Sequence, residues 1–199
     1  MKNLTQNDET LRNIRKEFFA FRNGIIADKL RNAGDPHPII MGCLLVDIMS
    51  ISRSIAENVA DDRRLATVAQ ELWDDTNSRE CRLAAPMLYP AEMMTLEMAM
   101  QWCQSVETTE IADNLCHKLL RDITDADALW RALIADERLL VKYTGYRLLL
   151  NLLLLDRLQP NEQLRIIINN DAKQAHGPLV ALLKDILEEF TDHHSSSRG

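Results

Sequence analysis

The chain has 199 residues, 46% of them apolar, with six glycines and six prolines. That is enough for one domain with a sizeable core, and too few breakers for long disordered tracts. A net charge of −7 argues against a protein that simply coats nucleic acid.

Leu and Ala are the commonest residues and alternating β-branched runs are nearly absent, so the expected fold is all-α. Residues 8 to 33 read as one or two helices, with Leu11, Ile14, Phe18, Phe21, Ile25 and Leu30 as the apolar stripe and Gly24 at a bend. In Phe21-Arg22-Asn23-Gly24-Ile25 a cation and an amide stand beside that break, where a phosphate could approach the backbone. An ordinary helix-to-helix turn accounts for the same residues. Gly34-Asp35-Pro36-His37-Pro38 is a loop, with His37 a turn residue. Leu44, Ile48, Ile51, Ile55 and Val59 then recur at helical spacing. Asp61-Asp62 open the next helix with the charge its N-terminus prefers, and Leu65, Val68, Leu72 and Trp73 face inward.

The stretch from Trp73 to Leu120 organises the rest: three short helices separated by breakers. Ser78 caps the first, Pro90 starts the second, and Thr108 or Thr109 caps the third, placing Asp113 near its first turn. Leu83, Ala84 and Met87, then Leu96, Ala99, Trp102 and Cys103, then Ile111, Leu115 and Leu119 give each helix one apolar face. Such helices cannot stand alone, and stacking them in antiparallel pairs makes a helical-repeat solenoid. Thr124-Asp125-Ala126-Asp127 predicts a capping box before a helix that buries Leu129, Trp130 and Leu133. Leu129-Trp130 echoes Leu72-Trp73, as repeats would. A long apolar helix follows within Asp136 to Leu155. Pro160 starts another, and Pro178 starts the last, with Leu179, Leu182, Leu183, Ile186 and Leu187 inward. One repeat domain over residues 1–199 is expected, its tail frayed from about residue 192.

Cys43, Cys81, Cys103 and Cys116 lack Cys-x-x-Cys spacing and read as buried, reduced thiols. Cys116 and His117 are adjacent, and neighbours on a helix point about 100° apart, a poor pair of ligands. No metal and no cofactor is expected. Residues 1–33 hold seven Lys/Arg against four Asp/Glu, net +3, and the other 166 hold 16 against 26, net −10. A basic N-terminal patch and an ordinary solvated face both fit that count. The polar opening, with Asp8, Glu9 and Glu17, is no secretory signal, and Leu148 to Leu155 is too short to span a membrane. A cytoplasmic protein without membrane contact is expected.

The central stretch also carries a resemblance. Ser78-Arg79-Glu80-Cys81-Arg82-Leu83-Ala84, Met87-Leu88-Tyr89-Pro90, Trp102 and Thr109-Glu110-Ile111-Ala112-Asp113 come in an order similar to the HEAT-like-repeat family of AlkC/AlkD-type DNA alkylation repair proteins. Gly42-Cys43-Leu44-Leu45-Val46-Asp47-Ile48 resembles that family's Gly-Val-x-x-Pro-x-Leu segment, with Asp47 where the proline would be. The resemblance covers roughly residues 20 to 150.

It implies an all-α HEAT-like solenoid of antiparallel helix pairs, with duplex DNA bound at a concave face. Glycosylases of the family use the pattern Trp-Asp-x-x-Asp, later an Arg-Arg pair and later still a Trp. Carried over, the second aspartate falls on Asp113, the Trp on Thr109, the first aspartate on Glu110 and the Arg pair on Lys142-Tyr143. The last Trp has no counterpart, because residues 156–199 contain none. Cleaving the glycosidic bond of a cationic alkylpurine needs little acid help, since the leaving base is already positive. It needs a carboxylate to steady oxocarbenium character, a role for Asp113. Aromatic faces hold the cationic base by about 0.5–2 kcal/mol per contact, which Thr109 cannot supply. Lys142 offers a point charge for a phosphate, Tyr143 a stacking surface, and Arg22 a further nucleic-acid contact. Asp113 as a cap or surface acid, and Lys142 and Tyr143 facing solvent without a ligand, remain open on the residues alone. The functional reading is a divergent or inactive alkylpurine DNA glycosylase that binds DNA. Its alternative is a helical-repeat scaffold that binds a protein partner.

Overall fold

The computed structural model describes residues 2–59 and 61–196, with side chains over 6–59 and 61–190. Among them the regular elements are helical, and the only strand-like feature is a parallel backbone bridge between Ile39 and Ser78. The described residues pack as two compact units. One runs to Thr95 and includes Asp122–Thr124, while the other comprises Leu96–Arg121 and the chain from Asp125 on.

The first unit contains α1 (Lys2–Ala20), α2 (Gly24–Asn32), α3 (Leu45–Asn58), α4 (Asp62–Asp74) and α5 (Arg79–Leu88). Asn23, Asp61 and Ser78 cap α2, α4 and α5 by accepting from the first backbone N–H groups. Leu65, Val68, Leu72 and Trp73 are buried on α4, as their spacing predicts. The stripe drawn through residues 8–33 holds only for α1, where Leu11, Ile14 and Phe18 are buried, while Phe21 and Ile25 lie exposed. The break at residues 21–23 resets the helical phase, so one stripe cannot run through both helices. Leu44 is likewise exposed, standing just ahead of α3 rather than within it.

The α5 helix departs furthest from expectation. Its spacing predicts one apolar face, yet Arg79, Glu80, Cys81 and Arg82 are all buried along with Leu83, Ala84 and Ala85. It packs against both α3 and α4, so no face is left for water. Its charges are matched in place. Glu80 accepts from the backbone N–H of Met41, Gly42 and Cys43 at 3.1, 2.9 and 3.3 Å, and from Arg79 Nη1 at 3.1 Å. Arg82 donates to the Trp73 carbonyl at 2.6 Å and lies 3.6 Å over the Trp73 ring. That cation sits where the carbonyls of α4 run out of partners.

The loop from Ile39 to Cys43 is thereby fixed. Gly42 has φ +77°, and a Cβ there would collide with the backbone of Asn23 and Ala27. His37 is buried just ahead of this loop, its Nδ1 2.6 Å from Asp35 Oδ1, consistent with a turn residue.

The second unit contains α6 (Leu96–Gln104), α7 (Thr109–Lys118), α8 (Ala126–Ile134), α9 (Leu139–Leu154), α10 (Glu162–Ala172) and α11 (Pro178–Ser196). Pro90 does not begin α6; it opens one 3-10 turn, Ala91–Met93, and α6 starts after it. Thr108 caps α7 and Asn161 caps α10. The capping box at Thr124–Asp127 does not form. Asp125 makes no side-chain cap bond, and Asp127 instead accepts from Trp130 Nε1 at 2.9 Å and pairs with Arg131. The centre of this unit is α9, which packs on α7, α8 and α11 and is buried almost all round. Gly145 permits its approach to α8, since a Cβ would lie 2.7 Å from Leu133 Cβ and 2.9 Å from the Ile134 nitrogen. Trp73, Trp102 and Trp130 are core residues, and all four cysteines are buried and free. Of the expected frayed tail, α11 continues to Ser196 and residues 197–199 lie outside the described residues.

Candidate functional site

Thr108 caps α7 as expected, which makes Asp113 the fifth residue of the helix, just past the first turn, where the acid is Glu110. The helix dipole therefore does little for it. What holds it is α9. Tyr143 donates its hydroxyl to Asp113 Oδ1 at 2.9 Å, and Arg147 Nε lies 3.2 Å from the same oxygen, an ion pair not aligned as a hydrogen bond. Both contacts fall on one carboxylate oxygen, and the Asp113 side chain keeps 37% of its surface exposed. Burial raises the Asp113 pKa above the ordinary range and Glu110 adds to this, while Arg147 and the Tyr143 hydroxyl act against it. Burial and the neighbouring Asp113 charge push the Tyr143 phenol far up, so it stays a donor.

A second set follows the same plan. Asp171, from α10, accepts from Tyr146 at 2.8 Å and pairs with Lys142 Nζ at 3.3 Å. On α9 the pairs Tyr143/Arg147 and Lys142/Tyr146 each stand four residues apart, so each presents a hydroxyl and a cation to one carboxylate. Lys142, Asp171, Glu137, Gln174 and His176 border a cleft of about 230 Å³.

Of the residues singled out in the sequence, Asp113, Tyr143 and Lys142 therefore stand on facing stretches of α7 and α9, and none of them is an idle solvent group. Tyr143 differs from expectation in one respect. Its ring is 7% exposed, so it serves Asp113 through its hydroxyl and does not offer a stacking face. Arg22 belongs to the other unit, where it donates to the Phe19 carbonyl at 2.9 Å and lies 4.0 Å over the Phe19 ring. Asn23 beside it spends its side-chain oxygen capping α2, so this segment is a capped turn. Sequence reasoning missed Arg147, Tyr146 and Asp171. The signal was the repeated four-residue spacing of aromatic and cation on α9, hidden within an otherwise apolar run. Among the described residues no group of three or more His, Cys, Asp or Glu is placed to hold a metal.

The described residues thus form an all-helical fold in which a semi-exposed aspartate is held by a tyrosine and an arginine on the neighbouring helix. The family follows from comparison. The profile of the DNA alkylation repair enzymes matches residues 14–175, and the chain belongs to that family. No significant match is found among curated proteins or among solved structures.

Proposed function

We propose that this protein binds duplex DNA and receives an alkylated purine nucleotide beside Asp113. The observation that supports this most is the Asp113 carboxylate, tethered through one oxygen and open on its other side. A fixed, partly desolvated carboxylate is what an oxocarbenium-like sugar requires. The packed pairs α4 with α5 and α8 with α9 are read as HEAT-like repeats. Lys142 contributes a phosphate contact, which needs it to leave Asp171. Tyr143 acts through Asp113. Arg22 is already engaged with Phe19, so the DNA contact is assigned to α7 and α9.

Base excision is the weaker half of the proposal. Thr109 replaces an aromatic wall, so the cationic base loses about 0.5–2 kcal/mol of cation–π attraction. The second reading, a scaffold for a protein partner, is favoured by Arg147, which already neutralises the one carboxylate the chemistry would use.

Fluorescence anisotropy of labelled duplex, plain or carrying an abasic-site analogue, separates these readings. DNA binding predicts salt-sensitive affinity, tighter for the modified duplex and weakened by Lys142→Ala for every sequence alike. Absence of binding at low salt would reject it.

A further inference from the structure

The exposed side of α1 carries an aromatic residue between cations. Its buried stripe is Leu11, Ile14 and Phe18, and the opposite side presents Arg12, Lys16 and Phe19 at i, i+4 and i+7. Phe19 keeps 57% of its surface exposed, and it borders two clefts of this unit. One, of about 540 Å³, is lined by Asp8, Leu11, Arg12, Arg15 and Lys16. The other, of about 650 Å³, is mostly apolar, with Ala27, Ile39, Ile40 and Met41 on its walls. Arg15 is paired with Asp75, and Arg31 with Asp28, whereas Arg12 and Lys16 have no ion-pair partner among the described residues.

The backbone along the second cleft restricts what docks there. Ile39 donates to Asn77 and accepts from Arg79, Ile40 accepts from Arg31, and Met41 donates to Glu80 and accepts from Asn23. No strand edge is left to extend. A partner must therefore dock through side chains. Arg12, Lys16 and Arg22 suit carboxylates, and the exposed Phe19 and Ile39 beside them call for an apolar surface, which a phosphate backbone does not offer.

We infer that this face binds an acidic amphipathic helix of a partner protein. Its apolar side covers Phe19 and Ile39, and carboxylates along its edge meet Arg12 and Lys16. This surface is independent of the Asp113 site.

The test is a displayed library of peptides roughly four helical turns long, selected on the full chain. Counter-selection uses the F19A/R12E/K16E chain, whose circular dichroism is checked first. All three side chains are exposed, so the fold should survive. Enriched peptides should carry Leu, Phe or Met at helical spacing with Glu or Asp beside them, and Phe19→Ala alone should cost about tenfold or more in affinity. A version with lysines in place of the acids should bind the R12E/K16E chain better than the original chain. No enrichment, enrichment of basic peptides, or equal binding to the counter-selected chain would overturn the proposal. So would tight binding of a labelled oligothymidine that Arg12→Glu and Lys16→Glu abolish, since the face would then serve nucleic acid.

Discussion

Glu80 is wholly buried and accepts three backbone N–H groups and a guanidinium, so Glu80→Ala removes the carboxylate beside Arg79 and leaves the N–H groups of Met41–Cys43 without their acceptor. Breaking a buried pair from one side costs about 3–5 kcal/mol. Urea unfolding of that variant should show its midpoint falling accordingly, and a loss under about 1 kcal/mol would contradict the clamp. At Asp113 the electrostatics give a direction. Arg147 and Tyr143 both lower its pKa against the larger effect of burial, so Arg147→Gln and Tyr143→Phe should each raise it further. Carboxyl ¹³C shifts followed by NMR would measure this. The raised value also fixes a sign for stability. The ionised form is disfavoured in the fold, so the protonated carboxyl favours folding at low pH, and that preference is lost as pH climbs from the unfolded pKa to the folded one. Any function that needs the carboxylate should therefore fall away on acidification earlier than for an ordinary aspartate.

For whole elements, helix boundaries are readable where a capping side chain stands before an apolar stripe, as at Asp61, Ser78 and Thr108, whereas Pro160 does not start α10, which Asn161 caps. They were misread where the chain used other means. Asp127 has the composition of a capping box, but Trp130 and Arg131 compete for its oxygens. The burial of Arg79, Glu80 and Arg82 was invisible because periodicity sorts residues by polarity, and these are kept inside by partners distant in sequence. The candidate site was half legible for a similar reason. Asp113, Lys142 and Tyr143 could be placed by resemblance, whereas Asp171 enters only through α10 folding back on α9. The α8–α9 crossing at Gly145 yields its own prediction. Gly145→Ala should destabilise the second unit by about 1–3 kcal/mol, because the methyl meets Leu133 and the Ile134 backbone. Thermal denaturation would register it. Asp136, which accepts from the Arg138 backbone N–H ahead of α9, is held down to about 2 by Arg138. Its contribution should be present above the unfolded pKa and vanish as pH falls from about 4 to about 2.

Across the whole molecule, the family match over residues 14–175 draws on both compact units. Among the described residues no helix is long and apolar enough to cross a membrane. The net charge of −7 bears on any encounter with DNA, since the body of the protein repels phosphates and few cations on α9 are available to attract them. The salt dependence of binding should accordingly be shallow, corresponding to about two or three neutralised phosphates. A slope of many phosphates would point to a basic surface other than this one.

Base release tests most directly the proposal that Asp113 marks a site for alkylated DNA. A duplex bearing an N-methylated purine would be incubated with the protein in excess, and free base measured against time. Slow release by the native chain, abolished by Asp113→Asn while DNA affinity is retained, is the predicted result. Release that persists unchanged in Asp113→Asn would contradict the assignment. Complete absence of release from both chains, together with no affinity for the duplex, would leave Asp113 as a structural ion-pair partner of Arg147.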